Sequence, residues 1–268
     1  MQINSRGILS DFIFHDFAAK IYDLGDCVAV HTPSNPSYFH GNYLIFPTAP
    51  KKGDFGQWLS RFDQVFNQYP GVLHHCFEWE TSAPANPQTI AEFQNAGFTF
   101  DTISVLAATS VHTEKPTPSG VNFRPIKTDF EWASVVDAQT SEGFPSIPMP
   151  AYRAYKEATF ANYRAMSEAG SGAWWGAFKG AELVADLGLY FGRGIGRFQS
   201  VETLRAHRRQ GICRALVHHV SNAAFAAHSG ITLMLHADAD EVARTIYESV
   251  GYAETEKLQS LFRPPVMR

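Results

Sequence analysis

The sequence contains few cysteines, no CxxC pair and no long apolar run. Its three cysteines, Cys27, Cys76 and Cys213, are odd in number and widely spaced along 268 residues, which argues against a disulfide framework and against a structural zinc site. No apolar run approaches the roughly 20 residues that a membrane-spanning helix needs, and residues 1–17 lack the apolar segment of a secretory signal. These absences predict a cytoplasmic protein that holds no metal and has no membrane partner.

Charge is scarce and unevenly distributed. Asp, Glu, Lys and Arg make up 18% of the residues, and the formal net charge is -4. Residues 1–110 contain 5 Lys and Arg against 10 Asp and Glu, whereas residues 111–268 contain 17 against 16. Six arginines lie between positions 193 and 214, where Glu202 is the only acid: Arg193, Arg197, Arg205, Arg208, Arg209 and Arg214. Because this density is local, it predicts a small anionic ligand and argues against a nucleic-acid partner.

Length and patterning predict two domains. At roughly 150 residues per domain, the chain is too long for a single small module. The Pro- and Gly-containing segment 111–120 is the candidate linker between a domain at 1–110 and a domain at 121–268. Short apolar strands are mixed with amphipathic helices on both sides of this linker, which is typical of an α/β (α+β) fold.

In the second half, strands are predicted at 121–126, 172–178, 183–190, 196–203, 231–237 and 254–262, and helices at 129–141, 151–168, 209–227 and 241–250. In the first half, strands are predicted at 27–31, 42–46, 73–79 and 98–106, and helices at 55–66 and 89–96.

One spacing pattern occurs once in each half. An Asn or Asp is followed seven residues later by an aromatic residue, and four residues after that by a glycine. The two copies are Asn86, Phe93 and Gly97, and Asp240, Tyr247 and Gly251. The repeat predicts a tandem of two related folds. The alternative is that helix, glycine cap, aromatic residue and strand form a common αβ signature without common origin.

A basic loop joins the predicted strand ending at Thr203 to the predicted helix beginning at Arg209. The first turn of a helix has free backbone N–H groups and a partial positive charge, so it favours an anion. Gly211 has no side chain to keep a bulky ligand from the backbone, and flanking guanidinium groups bind phosphate well. The loop therefore predicts a phosphate-containing ligand.

Two motifs resemble the GNAT superfamily of acyl-CoA-dependent N-acyltransferases. The family's Arg/Gln-x-x-Gly-x-Gly/Ala signature is similar to Arg208-Arg209-Gln210-Gly211-Ile212-Cys213, where Cys213 replaces the usual Gly or Ala. The family's Asn-x-x-Ala-x-x-x-Tyr-x-x-x-Gly-Phe/Tyr block is similar to residues 240–252, where Asp240 replaces Asn. The resemblance covers about residues 121–264. With the repeat, it implies two GNAT-like domains in tandem, each a mixed, mostly antiparallel sheet flanked by helices.

The resemblance also implies a reaction and its co-substrate. An acetyl group passes from acetyl-CoA to a primary amine by direct attack in a ternary complex, without a metal ion. The amine acceptor is a small molecule, and the protein is a monomer or homodimer. The resemblance assigns CoA contacts to Val201, Glu202, Thr203, Arg208, Arg209, Gln210, Gly211, Ile212, Cys213 and Asp240.

Two residues are assigned catalytic roles, Tyr247 by the same resemblance and Glu202 by its place near the end of the predicted strand, where a carboxylate could take the amine proton directly or through water. Tyr247 matches the acid that protonates the CoA thiolate; its alternative role is that of a helix tyrosine packed against the sheet. Glu202 is the candidate base; its alternative role is a solvated carboxylate or an ion pair with Arg205. His236 is a weaker candidate base.

Two further alternatives concern the mechanism as a whole. Cys213 could act as a nucleophile at a helix N-terminus, although a small apolar residue in that place explains it better. Phe93, in the place of Tyr247, has no proton to donate, so the first half is interpreted as a degenerate copy.

The alternative function is that of a sensor, a protein that binds acyl-CoA or another metabolite without turnover.

Overall fold

The computed structural model describes residues 1–80, 84–112, 117–144, 147–238 and 242–265, which form two compact units. The first unit contains residues 1–104 and the chain from residue 256 onward, and the second contains residues 105–255. Within the described residues, no helix combines the length and the apolar character needed to cross a membrane.

The helices and strands follow one another along the chain. They are α1 (Arg6–Ala18), β1 (Lys20–Asp23), β2 (Val28–His31), β3 (Asn42–Phe46), α2 (Asp54–Phe66), β4 (His75–Trp79), α3 (Pro87–Asn95), β5 (Thr99–Ala108), β6 (Val121–Pro125), α4 (Asp129–Thr140), α5 (Met149–Glu168), β7 (Gly172–Lys179), β8 (Glu182–Gly192), β9 (Ile195–Thr203), α6 (Ile212–Ala227), β10 (Thr232–Asp238), α7 (Val242–Val250) and β11 (Ala253–Arg263).

The first unit has an aromatic core on a mixed sheet. Its strands lie in the order β1-β2-β3-β4-β11, with β3 and β4 parallel and the other neighbours antiparallel. Trp58, Phe62 and Phe66 recur every four residues along α2 and are all buried, which is the spacing of one helix face. They pack with Phe77 on β4 and Phe93 on α3 in one cluster.

The second unit has the strand order β6-β7-β8-β9-β10-β5. Neighbouring strands from β6 to β9 are antiparallel to one another, whereas β10 is parallel to β9. Helices α4 and α5 pack on each other and on β7 and β8, while α6 packs on β6 to β9 and on α7. Leu187 on β8 and Leu216 on α6 are fully buried in the apolar cluster between sheet and helix.

The two units repeat one strand order. In the first unit β1-β2-β3-β4-β11 corresponds to β7-β8-β9-β10-β5 in the second, and the parallel pair falls in the same place. The helix after the corresponding strand also begins alike, since α2 is N-capped by Gly53 with φ +93° and α6 by Gly211 with φ +75°. The prediction of two GNAT-like folds in tandem is confirmed at this level.

The compact units differ from the predicted domains at 1–110 and 121–268. β11 pairs with β4, from Ser260 opposite Glu78 to Arg263 opposite His75, and this pairing places residues 256–265 in the first unit. Residues 113–116 of the predicted linker lie outside the described residues. The division into a catalytic and a degenerate domain therefore stays a prediction.

Two local expectations are corrected. The helix expected from Arg209 begins at Ile212, because Arg209 has φ +63° and Gly211 has φ +75°, both in the left-handed region. The sequence pattern also missed α1, whose buried face mixes apolar residues with Ser10 and His15 and so has no clear apolar period.

Candidate functional site

The loop between β9 and α6 leads into backbone amides that precede the hydrogen-bond ladder of the helix. The first hydrogen bond of the α6 ladder runs from the Ala215 N–H to the Gly211 carbonyl at 3.0 Å, so the amides of residues 212–214 precede the ladder. A Cβ on Gly211 would have only Arg214 Nη2 at 3.9 Å and Pro118 Cγ at 4.0 Å near it. The open space and the amides fit a pyrophosphate group.

The arginines of this region do not form one surface. Arg197 is 5% exposed, and its guanidinium donates a hydrogen bond to the Phe198 carbonyl. Arg209 and Gln210 are exposed in the loop, and Gln210 Oε1 accepts a hydrogen bond from Lys179 Nζ at 2.7 Å. Arg197 is therefore buried in the sheet and is not part of the group of arginines that could surround one anion.

Arg208 is bound to carboxylates. Its Nε donates to the Thr203 carbonyl at 2.9 Å, and its Nη2 lies 3.0 Å from both Glu142 Oε1 and Glu202 Oε1. Hydrogen bonds to the carboxylates of Glu142 and Glu202 raise the pKa of Arg208. The ion pair considered between Glu202 and Arg205 is thus made by Arg208, and Arg208 links the loop to the end of β9.

Glu202 and Thr203 form the end of β9. The Thr203 N–H donates to Glu202 Oε1 at 2.9 Å, the same oxygen that binds Arg208. Both contacts hold the carboxylate in one position. Glu202 stands opposite Asp186 of β8 in the strand register.

Cys213 is a half-buried residue in the first turn of α6. Burial raises the pKa of its thiol to about 12, and the charge of Glu202 acts in the same direction. Because the thiolate is the nucleophilic form, this environment opposes the nucleophile alternative.

The remaining predicted residues lie in or near the apolar core of the second unit. Tyr247 is 4% exposed and Ile212 is 1% exposed, and both belong to one cluster. Val201 is half-buried and packs against the same cluster. Asp240 lies outside the described residues. The structure thus brings together Glu202, Thr203 and Arg208 by direct contact.

Comparison with known families assigns the second half of the chain. Residues 135–260 match the acetyltransferase (GNAT) domain family. Residues 135–260 are thus similar to a GNAT domain. The matched range includes β7 to β10, the β9–α6 loop and α7, so it spans both motifs that carry the resemblance in the sequence.

Solved structures resemble the chain along nearly its whole length. A functionally unknown conserved protein from Staphylococcus epidermidis has a TM-score of 0.73 at 13% identity, over 96% of this chain and 100% of that chain. A GCN5-related N-acetyltransferase from Kribbella flavida has a TM-score of 0.62 at 16% identity, over 97% of each chain. A tandem GNAT protein from the clavulanic acid biosynthesis pathway has a TM-score of 0.53 at 11% identity, over 94% of this chain and 80% of that chain. No match was found among curated protein sequences. At these identities the likeness shows the fold, and the fold is that of two GNAT-like domains in tandem.

A bulge interrupts β9 of the GNAT domain. The register against β8 shifts between Gln199 and Glu202, and Ser200 there has φ +45°. Gln139 of α4 donates from Nε2 to the Ser200 carbonyl at 2.7 Å. A bulge leaves one residue out of the ladder, and here a side chain from α4 supplies the hydrogen bond.

Asp186, a fully buried acid in the middle of β8, was not among the residues predicted from the sequence. Its Oδ1 accepts hydrogen bonds from Gln139 Nε2 at 2.8 Å and from Trp174 Nε1 at 3.0 Å, while Oδ2 has no hydrogen-bond partner among the described residues. Burial raises the pKa of Asp186 to about 7, and the negative charge of Glu202 contributes. The available signal was one acid inside an otherwise apolar strand, which is rarely buried without a reason.

Lys156 of α5 completes a buried polar cluster, which we define as Gln139, Lys156, Asp186 and Glu202. Lys156 Nζ lies 3.5 Å from Gln139 Oε1 and over the rings of Tyr152 and Phe160, 5.6 and 5.8 Å from their centroids. Burial lowers the pKa of Lys156, although the charges of Asp186 and Glu202 oppose that shift. Among the described residues, no group of three or more His, Cys, Asp or Glu could hold a metal ion.

Proposed function

We propose that the GNAT domain transfers an acetyl group from acetyl-CoA to the primary amine of a small molecule, by direct attack in a ternary complex. The observation that carries the proposal is the match of residues 135–260 to the acetyltransferase domain, with the glycine-capped β9–α6 loop inside it. The first-turn amides of α6, which precede the hydrogen-bond ladder of the helix, would supply the anion site that a pyrophosphate needs.

The proposed roles follow the geometry of the loop and of β9. Residues 208–213 bind the pyrophosphate, and residues 201–203 bind the pantetheine arm along the end of β9. Acetyl-CoA supplies the activated acetyl group. Glu202 takes the proton of the attacking amine, and Tyr247 provides the proton that the departing sulfur needs.

Gly211→Trp is expected to weaken acetyl-CoA binding at least tenfold, a free-energy loss of about 1.4 kcal/mol. An indole at this position occupies the space in which a ligand approaches the α6 amides. Gly211 also has φ +75°, so any side chain there adds backbone strain. Isothermal titration calorimetry measures the affinity.

Gly230→Trp is the matched control for this strain. Gly230 has φ +73° beyond the opposite end of α6, and no atom lies within 4 Å of the position that a Cβ would take there. We expect this variant to bind acetyl-CoA as the wild type does. Equal affinity in the Gly211 variant and the wild type would remove the β9–α6 loop from the proposed binding site.

An acceptor screen distinguishes the enzyme from a sensor. Free CoA thiol is followed with acetyl-CoA and a panel of amino acids, polyamines, aminoglycosides and lysine peptides, with Tyr247→Phe as the control. Thiol release that depends on one class of amine supports the proposal. A rise of Tm with acetyl-CoA but no thiol with any amine would favour the sensor.

A further inference from the structure

We infer that Asp186 and Glu202 act as one coupled carboxyl pair, in which Asp186 adjusts how strongly Glu202 accepts a proton without itself touching the acceptor. Asp186 is thus a positioning residue. The inference rests on the proposed function, because it assigns the proton of the attacking amine to Glu202.

The strand register brings the two carboxyl groups together. Asp186 on β8 and Glu202 on β9 are paired in an antiparallel ladder, and paired residues on such strands project to the same face with their Cβ atoms about 5 Å apart. Asp186 is fully buried, whereas the Glu202 side chain is 33% exposed. Only Glu202 of the two is therefore open to an acceptor.

Two donors hold the Glu202 carboxylate in place. Arg208 and the Thr203 N–H both donate to Oε1 of Glu202. In the inferred pair, an ionised Asp186 places a second negative charge beside this fixed carboxylate, and like charges close together favour the binding of a proton by the pair.

The surroundings of Asp186 allow it to hold or release one proton. The elements packed against it present the uncharged Gln139 from α4 and Trp174 from β7, and the charged Lys156 from α5 and Glu202 from β9. Its Oδ1 has two donors and its Oδ2 has none among the described residues. A buried carboxyl oxygen without a hydrogen-bond partner costs more free energy when the group is charged than when it is protonated and neutral. Burial and the unpartnered oxygen therefore both favour the protonated form of Asp186.

The reaction step balances with this pair. When Asp186 is ionised, Glu202 takes the proton of the amine while the nitrogen–carbon bond forms and the carbon–sulfur bond breaks. The sulfur leaves with the electron pair of its bond and takes a proton from the acid proposed above. When Asp186 is protonated, Glu202 is the weaker proton acceptor and the same step is slower.

The pair is tested without any acceptor by NMR titration of carboxyl groups, using the full chain with ¹³C-labelled aspartate and glutamate. The Asp186 signal is assigned by its loss in Asp186→Asn. If that variant does not fold, Trp174→Phe provides the assignment, because losing a donor to Oδ1 raises the pKa of Asp186. We expect Glu202→Gln to lower the pKa of Asp186 from about 7, because the neighbouring negative charge is gone.

Glu142→Gln is the matched control. This substitution removes the other carboxylate bound to Arg208, so it changes the charge around Arg208 as Glu202→Gln does. Glu142, however, is not the residue that stands opposite Asp186 in the strand register. We expect the Asp186 titration to be unchanged in this variant. An Asp186 titration that is the same in Glu202→Gln and wild type would overturn the inference.

The kinetic readout uses an amine from the acceptor screen. In the wild type, kcat/KM should increase as the pH rises through the pKa of Asp186. This increase should be absent in Asp186→Asn. The separate increase that comes from deprotonation of the amine should occur in both proteins. A rise retained in Asp186→Asn would overturn the inference and leave the proposed function intact. If no amine releases thiol, the proposed function fails, and the NMR titration still decides whether the pair is coupled.

Discussion

Replacing Tyr247 by phenylalanine is expected to lower kcat by about 100-fold, the usual scale for removing a general acid. The substitution should change the Kd for acetyl-CoA by no more than about twofold. The corresponding change in binding free energy is much smaller than that of a tenfold change in Kd. The ring of Tyr247 is 4% exposed within the apolar cluster of the second unit, so a phenyl ring keeps the packing and loses only the hydroxyl. Steady-state thiol release and calorimetric affinity measure the two quantities.

Tyr252→Phe is the control for this prediction. Tyr252 is 3% exposed in the same cluster, and its hydroxyl lies 2.7 Å from Ser221 Oγ. Losing that hydrogen bond should cost about 1 kcal/mol of stability and leave kcat unchanged. Full activity in Tyr247→Phe would assign thiolate protonation to water or to another group.

Asp186→Asn is expected to raise the free energy of unfolding at pH 8 more than at pH 5. Burial raises the pKa of Asp186 from 3.8 to about 7 in the folded protein. Between these two values the folded state binds more protons than the unfolded state, so this group's contribution to stability falls as pH rises. An upper bound for the loss is on the order of 4 kcal/mol.

The measurement is urea unfolding of wild type and variant at pH 5, 6, 7 and 8. The stability of the variant relative to wild type should increase across this range, because other titrating groups are common to both proteins. Asp137→Asn, which removes an exposed carboxylate bound to Arg153, should show a small difference that does not grow with pH. A difference between Asp186→Asn and wild type that is independent of pH would place the proton elsewhere in the buried polar cluster.

Local patterns in the sequence predicted most of the second unit. The strand predicted at 121–126 is β6 at Val121–Pro125, and the helix predicted at 129–141 is α4 at Asp129–Thr140. α4 has a capping box in which Thr128 and Glu131 exchange hydrogen bonds with each other's backbone, a signal confined to four residues. Interactions between residues so close in sequence can be predicted without knowledge of the rest of the fold.

The first unit shares local features with the second unit but lacks its arginine-rich motif. Phe93 is fully buried in the aromatic cluster, as its place opposite Tyr247 in the repeat suggests. Gly53 caps α2 in the same left-handed conformation as Gly211 caps α6. The first half therefore has the glycine turn but lacks the arginine-rich motif. The glycine is needed in both halves, since the turn requires a left-handed backbone conformation that glycine adopts readily.

The sequence by itself determined most of the helices and strands and the spacing within each GNAT motif, because each of these depends on residues within a few turns of one another. The tertiary structure alone decided which strand lies beside β4 and which charges meet. Gln139 reaches Asp186 across 47 residues and Ser200 across 61, and the partner of Glu202 is Arg208 rather than Arg205. The burial that shifts the pKa of Asp186 requires helices α4 and α5 to cover the sheet, and no local pattern records such a distant contact.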